Sequence, residues 1–575
     1  MSLLEARSGW PFGLGNAPYH RNERGRRLDL HSLFSTSLFL PLRQLDRLLV
    51  SPFLNPFSVP LLRRWPQQWG RFSFGRYRFR VSGSPDSEPV LSPATLASDM
   101  RVQLLLLSIV LWPFPALHCQ MGRETAESSK VLPAQLKSDL IALRDAALKD
   151  DYAYQQTAHL TDNIGPRAVG SVQAQAAVEY VADQLRQLGL QVQLEEVKVP
   201  HWIRGTDAAE LVEYPGQASG ATQKVVLTAL GGTVPTTANG LTADLVVATS
   251  FDELKALGRE KVQGRIVLFN VPFDKQKAAN GLAGEAYGEA VAYRGSGPKA
   301  AADLGAVACL VRSVGGADYR IPHTGWSAPA GIPAGAVTSE DADLISRLAK
   351  QGAIRMHLTL ASHTEPDVTS YNVIGDLKGT EHPEQVVIVS GHLDSWDLGT
   401  GAIDDAAGVA VAMETAELIQ TLHLHPSRTI RVIAWMDEEN GGRGHEVYGR
   451  EHAAQMPTHI AAIESDLGAS HPLGFNAKMN AAGLPLLKPV QDILQSFGAN
   501  LIHVTTHSPG SDITPMAEAG VPAFGIMQDG RTYFNYHHTA ADTLDKIVPQ
   551  ELRENAAAMA VMGYALANLP EPLPR

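Results

Sequence analysis

The chain has 575 residues, of which 44% are hydrophobic, and a formal net charge of −12. A chain of this length and composition can bury a large core, and we expect it to hold more than one domain. The acidic balance argues against nucleic acid as a partner, because phosphate binding needs a basic surface.

Residues 1–99 differ in composition from the rest of the chain. They contain 13 Arg, no Lys and 7 acidic residues, for a net charge of +6, which leaves −18 for the remainder. This stretch has no sustained helical or strand period. We interpret residues 1–99 as a non-native leader, translated from sequence upstream of the true start at Met100. The alternative is a genuine disordered basic leader.

The segment 100–119 has the layout of a secretory signal peptide. Met100 and Arg101 open a short charged start, and an apolar run follows at residues 104–117. The run is too short to span a bilayer as a stable helix, so we expect export to the periplasm, the cell surface or the medium. Cys119 follows the run, and lipid anchoring there is a weaker alternative to ordinary cleavage. With only two cysteines, the chain has no disulfide framework.

The next segments predict a divided catalytic domain. Residues 132–148 and 174–188 have helical apolar spacing, and residues 190–199 alternate as a strand. Residues 205–365 change character, with short strand candidates between turns rich in Gly, Pro and Thr and a single helix candidate at residues 299–304. We predict that they form a mostly β inserted domain, which shapes access to a site in a catalytic domain built from residues 122–204 and 366–570.

From residue 371 onward, strand-like and helix-like segments alternate. The predicted strands are 385–390, 429–435, 459–463, 501–504 and 523–526, and the predicted helices are 406–420, 445–455, 485–497, 511–518 and 550–566. This rhythm predicts an α/β fold with a largely parallel sheet and helices on both faces. Ligands of such sheets bind outside the carboxyl ends of the strands.

Polar clusters stand at those strand ends. Two imidazoles and several carboxylates, with no thiolate nearby, suit a pair of zinc ions with open coordination positions. The chain is therefore predicted to be a metal-dependent hydrolase. The candidate residues are His392, Asp404, Glu438 with Glu439, Asp466 and His538.

Spacing suggests a role for some of these residues. His392 is expected to be a ligand, with Asp394 two positions later as the acceptor that fixes its tautomer. Asp404 is placed to bridge two cations roughly 3.5–4 Å apart, as a two-metal hydrolase needs. Asp405 is expected to cap the helix that follows.

Other roles stay open at the level of spacing. Glu438 and Glu439 leave a strand in different directions, so one can ligate a metal while the other acts as general base. His537 rivals His538 as a ligand. Asp512 is expected to cap a helix rather than to contact substrate.

These motifs resemble the co-catalytic zinc exopeptidases, the family of bacterial leucyl aminopeptidases, and within it the carboxypeptidase Q subgroup. The resemblance covers about residues 130–570. The matching segments are 164–167, 390–397, 401–405, 438–442 and 464–466.

The resemblance implies a zinc-exopeptidase fold with an inserted domain of the protease-associated type. It implies two zinc ions per chain bridged by Asp404, with a cis peptide bond between Asp404 and Asp405 and a homodimer as the assembly. His392 and Asp466 would complete one zinc site, and Glu439 and His538 the other. Glu438 would be the catalytic general base and acid. Asp394 would orient His392.

The function implied is that of a secreted zinc exopeptidase, a carboxypeptidase or dipeptidase acting on dipeptides or short peptides through a metal-activated water. An aminopeptidase of the same family would share every ligand. A single-zinc glutaminyl cyclase and a non-catalytic binding ectodomain are the remaining alternatives.

Overall fold

A computed structural model describes residues 132–575 of the chain. The predictions for residues 1–99, for the signal peptide at 100–119 and for Cys119 lie outside the described residues. Within residues 132–575, none of the helices has the length and apolar character that crossing a membrane requires.

Helices and strands alternate through most of the described chain. The helices are α1 Ala134–Ala147, α2 Tyr152–Ala158, α3 Val172–Gln187, α4 Phe251–Val262, α5 Lys275–Ala279, α6 Ala283–Asp303, α7 Ser339–Ala349, α8 Ala407–Thr421, α9 Arg443–Glu451, α10 Leu484–Leu494, α11 Thr514–Glu518 and α12 Pro549–Asn568. The strands are β1 Gln191–Ile203, β2 Asp207–Glu213, β3 Gln223–Val225, β4 Leu227–Ala229, β5 Leu241–Ala248, β6 Ile266–Phe269, β7 Ala308–Arg312, β8 Ala334–Val337, β9 Arg355–Leu360, β10 His363–Leu377, β11 His382–His392, β12 Arg428–Trp435, β13 His459–Glu464, β14 Pro472–Lys478, β15 Leu501–Val504 and β16 Ala523–Gln528.

The first sheet, which we call the main sheet, has the strand order β1-β10-β12-β11-β13-β16-β14-β15. Its four central strands, β12, β11, β13 and β16, are parallel. Alternate residues of β11 serve two separate cores: Val387 and Val389 pack with the helices of one face, and Val386 and Ile388 pack with Tyr448 of α9 on the other. The predicted α/β fold, with a largely parallel sheet and helices on both faces, is confirmed.

The second sheet is built between Asp207 and Leu360, in the order β3-β2-β9-β5-β6-β7-β8-β4. Its strands β5 to β8 are parallel. Residues 207–360, which we call the second region, also contain helices α4 to α7, so this part of the chain is more helical than the sequence predicts. The longest of these, α6, contains Pro298 and several glycines, which are poor helix formers.

The parallel register brings three strand ends to the same edge of the main sheet. His392, the last residue of β11, pairs with Trp435 of β12, and Ser390 pairs with Glu464 of β13. The predicted strands 385–390, 429–435 and 459–463 all lie within these elements. The chain segments that leave β11, β12 and β13 therefore start side by side, and they carry the predicted site.

Candidate metal centre

Asp404 lies at the centre of the predicted cluster. Its Oδ1 is 3.1 Å from Nε2 of His392, and its Oδ2 is 3.2 Å from Nε2 of His538. The two oxygens of one buried carboxylate thus face two imidazoles that are separated by nearly 150 positions in the sequence. This is the arrangement that a carboxylate shared by two cations requires.

The two remaining ligand candidates complete one group on each side of Asp404. Asp466 Oδ1 lies 3.4 Å from His392 Nε2, and Glu439 Oε2 lies 2.9 Å from His538 Nε2. All five predicted ligands therefore converge on one place. The shortest contacts pair Asp466 with His392 and Glu439 with His538, and Glu439 also offers a ligand atom within 4.8 Å of atoms of His392 and Asp404.

His537 is also close to the centre, as the sequence allowed. Its Nε2 lies 3.4 Å from Asp404 Oδ2, and its ring stacks on that of His538 with 3.6 Å between centroids. Its other nitrogen, Nδ1, lies 3.2 Å from His323 Nε2. Of the two histidines, His538 is the one that contacts both Asp404 and Glu439, which favours it as the ligand.

The donor set fits divalent cations. Asp404 Oδ2 is buried and faces His538 and His537 at 3.2 and 3.4 Å without the geometry of a hydrogen bond, and Glu439 Oε1 is buried with no hydrogen-bond partner among residues 132–575. A buried carboxylate oxygen without a donor costs free energy, and a bound cation offsets that cost. Imidazole nitrogens and carboxylate oxygens are ligands that zinc accepts.

Burial and neighbouring charges shift the protonation of these groups in different directions. Burial raises the pKa of Glu439 to about 8 and that of Asp466 to about 6. Burial also opposes ionisation of Asp404, but the imidazoles of His537, His392 and His538 outweigh it and hold the pKa of Asp404 well below its usual range. Ligation needs ionised carboxylates, so protons compete with cations at Glu439 and Asp466.

Asp394 contacts the site in a way that spacing did not predict. The backbone carbonyl of Asp394 lies 3.0 Å from His392 Nδ1, whereas its carboxylate Oδ1 is 3.9 Å away. The carboxylate instead accepts the backbone N–H groups of Asp437, Glu438 and Glu439, at 2.8, 3.2 and 3.3 Å. The main chain of Asp394 thus contacts His392, and its side chain fixes the turn that carries both glutamates.

Arg167 holds the loop between His392 and Asp404, a contact that spacing did not reveal. Its guanidinium is fully buried and donates to the carbonyls of Leu393 at 2.7 Å, Thr400 at 2.7 Å and Gly401 at 2.8 Å. In the sequence, Arg167 stood out only as the last residue of segment 164–167, one of the segments that carry the family resemblance.

Asp542 also binds the loop between His392 and Asp404. Its Oδ1 accepts the N–H groups of Ala402 and Ile403, both at 2.8 Å. The spacing of His538 and Asp542, which follow one another in a single loop, was the only sequence signal for this contact.

Two neighbouring acids differ in how well the sequence anticipated them. Asp405 Oδ1 accepts the N–H of Gly408 in the first turn of α8, which is close to the predicted contact, but Ala406 is the N-cap residue of that helix. The peptide bond between Asp404 and Asp405 is cis, as the resemblance implied. The capping role predicted for Asp512 is wrong. Its Oδ1 lies 2.9 Å from Nδ1 of His445, and no side chain caps α11.

The ligand candidates open into a cavity of about 400 Å³. Glu438 lines it, is half-buried, and has no side-chain hydrogen bond to another residue of the described part. The second region contributes Tyr287, Arg294 and Trp326 to the wall, and no pattern in the sequence pointed to these three residues. The full lining is Tyr287, Arg294, Trp326, Asp404, Glu438, Glu439, Gly441, Asp466, Leu467, Ser511, Tyr533, Phe534, His537 and His538.

Comparison with known proteins agrees with this geometry. The profile of peptidase family M28 matches residues 372–562. Human carboxypeptidase Q is 36% identical to this chain over 429 residues, which cover 74% of this chain and 87% of that protein. The chain belongs to peptidase family M28. The predicted resemblance to carboxypeptidase Q and the prediction of a zinc metallopeptidase, an enzyme that hydrolyses peptide bonds, are confirmed.

Relatives of this M28 peptidase extend to solved structures and to aminopeptidases. A crystal structure of a peptidase M28 precursor from Shewanella amazonensis superposes with a TM-score of 0.72 and 34% identity, over 77% of this chain and 98% of that one. The aminopeptidase YwaD of Bacillus subtilis is 24% identical over 430 residues, which are 72% of this chain and 83% of that protein. The relatives of this chain therefore include both carboxypeptidases and aminopeptidases.

Proposed function

We propose that this M28 peptidase is a two-zinc carboxypeptidase or dipeptidase that hydrolyses dipeptides and short peptides. The observation that carries the proposal is the pair of ligand groups that share Asp404 on the wall of a cavity. The carboxyl-terminal direction is supported by the likeness to carboxypeptidase Q, which extends over most of both chains.

The proposed ligand assignment follows the two groups. In this assignment His392 and Asp466 would hold one zinc ion, Glu439 and His538 would hold the other, and Asp404 would be a ligand of both. When bound, such ions polarise the scissile carbonyl and lower the pKa of water from 15.7 toward about 7.

Glu438 is the proposed general base. Its carboxylate lines the cavity without a hydrogen bond to another described side chain, and its backbone N–H is held at 3.2 Å from Asp394 Oδ1. A free carboxylate on a fixed main chain can take a proton from the attacking water and then deliver it to the leaving amine. Asp394 has a positioning role, because its carboxylate orders the turn at residues 437–439.

The substitution Glu438→Gln tests the proposed mechanism. It should leave about two zinc ions bound per chain and lower kcat by about 10²- to 10⁴-fold, the usual contribution of a general base. Zinc is measured by elemental analysis and turnover with a dipeptide panel. Glu446→Gln, at an exposed site in α9, is the matched control and should keep full activity. Near-normal hydrolysis by Glu438→Gln would show that the base is another group.

The aminopeptidase alternative rests on relatives such as YwaD. Peptides blocked at one end distinguish the two directions: cleavage of amino-blocked peptides supports the carboxypeptidase, and cleavage that requires a free amino terminus supports the aminopeptidase. The same preparations test the remaining alternatives. One zinc ion per chain would favour a glutaminyl cyclase, and a lack of any bound metal would favour a binding ectodomain.

We also propose that the protein is exported and forms a homodimer, with a catalytic domain at residues 122–204 and 366–570 and an inserted domain at residues 205–365. The limits of the second sheet, Asp207 and Leu360, support the proposed domain boundaries. Amino-terminal sequencing of protein from its native source should find a mature start close to residue 120. Sedimentation analysis should give twice the mass of the mature chain, and a monomer mass would exclude the dimer.

A further inference from the structure

Arg294 is the one arginine or lysine that lines the cavity of the metal centre within the described chain. It belongs to α6 of the second region, whereas the candidate ligands come from the end of β11 and from the segments after it. Its side chain is only 9% exposed. A cation buried beside a metal centre needs either a structural partner or a ligand, because an unpaired buried charge is costly.

The guanidinium is fixed in place by neutral groups. Nε donates to the Trp326 carbonyl at 3.2 Å, and Nη1 donates to the Tyr287 hydroxyl at 2.7 Å and to the Thr324 carbonyl at 3.3 Å. Nη2 has no hydrogen-bond partner among residues 132–575, and Arg294 has no carboxylate within ion-pair distance there. The arginine is therefore held rigidly while one of its nitrogens and its full charge remain available.

The charge of the cavity favours an anionic ligand at Arg294. With the proposed pair of zinc ions, the four positive charges are balanced by Asp404, Glu438, Glu439 and Asp466, which are the acidic residues of the lining. Arg294 then adds one uncompensated positive charge. A carboxylate of the ligand supplies the negative charge that compensates Arg294, and it has the planar geometry that a guanidinium binds best.

The position of Arg294 suits the end of a short peptide. Its Nη1 lies 3.3 Å from Nδ1 of His538, and Nε2 of the same ring lies 3.2 Å from Asp404 Oδ2. The guanidinium therefore lies about one imidazole ring beyond the carboxylates of the metal centre. A single residue, with about 3.8 Å between consecutive Cα atoms, can bridge that separation.

We propose that Arg294 binds the free α-carboxylate of the substrate and so makes the carboxyl-terminal residue the one that is released. This proposal rests on the proposed function and adds to it a residue that sets specificity. It identifies the substrates as peptides with an unblocked carboxyl terminus whose scissile bond is the last one, with dipeptides as the shortest members.

A dipeptide and its carboxyl-terminal amide test the role of Arg294 in the zinc-loaded enzyme. The wild type should prefer the free acid. Arg294→Gln should lower kcat/KM for the acid by about 10- to 100-fold, the scale of one charge-assisted hydrogen bond, and change kcat/KM for the amide by less than about threefold. Arg294→Lys should give an intermediate loss, because it keeps the charge without the planar fork. An equal fall for both substrates would overturn the proposal, since it would indicate a purely structural role.

Two controls separate binding from folding. Arg312→Gln removes another partly buried arginine of the second region, whose hydrogen bonds go to Asn270 and Asp343, and both substrates should react as with wild type. Tyr287→Phe leaves the guanidinium but removes one of its supports, so it should reduce the preference for the acid only in part. Zinc content and the thermal midpoint are measured for every variant.

Binding measurements separate this proposal from the proposed function. Calorimetry in the Glu438→Gln background compares the dissociation constants of the dipeptide and its amide, with and without Arg294→Gln. A preference for the acid that disappears with Arg294 supports the carboxylate site even if the wild type hydrolyses neither compound. Normal hydrolysis with equal binding of acid and amide would overturn the Arg294 proposal and leave the hydrolase intact. Failure of both compounds to bind would also overturn it.

Discussion

The two sheets of this protein share an architecture and differ in what their parallel strands lead to. In the main sheet, β11, β12 and β13 run into His392, Glu439 and Asp466, whose side chains converge around Asp404. In the second sheet, β6 is followed by Asn270 and β7 ends at Arg312, and both bind the carboxylate of Asp343 on α7. Side chains thus meet where parallel strands end, and the residue types there determine whether they form an ion pair or a candidate metal site.

The difference lies in how the charges are satisfied. Asp343 has an arginine and an amide as partners, so its negative charge is compensated within the protein. Asp404 and Glu439 each keep a buried oxygen without a hydrogen bond in the described part. A cluster that is complete by itself serves stability, whereas one that leaves buried acceptors free is suited to hold an ion.

Removing the carboxylate of Asp404 should cause the largest loss of turnover, and it tests the comparison of the two sheets most directly. Asp404→Asn should lower turnover by about 1,000-fold or more and reduce bound zinc from about two ions per chain to one or none. Elemental analysis and dipeptide kinetics measure both. The matched change in the second sheet, Asp343→Asn, should alter neither. Loss of zinc in Asp343→Asn would mean that the two clusters are not independent.

A smaller loss of kcat is expected when the hydrogen bonds between Asp394 and the turn at residues 437–439 are weakened. Asp394→Asn keeps one acceptor for the turn at residues 437–439 but loses the oxygen that accepts the Glu439 N–H at 3.3 Å. We expect a fall of about 10- to 100-fold in kcat with little change in KM, as for other supporting partners of metal ligands. Asp367→Asn, at an exposed aspartate, is the control. A rise in KM at constant kcat would contradict a positioning role.

A buried carboxylate away from the strand ends should affect stability rather than catalysis. Glu414 of α8 accepts the Ala153 N–H at 2.8 Å, its Oε1 has no hydrogen-bond partner in the described part, and burial raises its pKa to about 8 from 4.5. The folded state therefore retains a proton that the unfolded state releases between these values. This stabilising contribution is complete below about pH 4.5 and is lost as the pH rises to about 8.

The substitution Glu414→Gln removes that dependence. Its free energy of unfolding relative to wild type should increase between pH 5 and pH 8 by up to a few kcal/mol, while dipeptide turnover stays unchanged. Urea unfolding of the zinc-loaded proteins at the two pH values measures the difference. A difference that does not vary with pH would show that Glu414 is ionised in the folded protein.

The smallest effect is expected at the ion pair of the second sheet. Arg312→Gln breaks a pair whose carboxylate side chain is 46% exposed, and such pairs contribute less than about 1 kcal/mol. Thermal unfolding should therefore shift by only a few degrees. A loss of several kcal/mol would mean that this cluster organises the second region as strongly as Asp404 organises the metal centre.

The sequence predicted the main sheet and its site well, because both depend on local patterns. Apolar runs such as 385–390 end directly before ligand-type residues, and the structure places His392, Asp404, Glu439, Asp466 and His538 together. Strand β14 was missed, since it begins at Pro472 and contains Gly474, which are both uncommon within strands.

The parts that the sequence did not predict depend on long-range contacts. The sequence around Arg294 contains no pattern typical of a substrate-binding site. Its place in the cavity is seen only in the structure, where Arg294 of α6 lies beside His538. Of the helices of the second region, the sequence predicted only the end of α6, at residues 299–304, because Pro298 and several glycines interrupt the helical pattern before it. The role of Asp394 was assigned to its carboxylate, because spacing alone cannot tell a side-chain acceptor from a backbone carbonyl.

The separation of His392 and His538 along the chain has a consequence for the timing of activity during synthesis. A growing polypeptide on the ribosome carries His392, Asp404 and Glu439 before it carries His538 and Asp542. Until His538 has been added, the zinc site proposed for Glu439 and His538 is incomplete. The newly made chain is therefore expected to be inert toward neighbouring peptides until the segment with His538 has emerged.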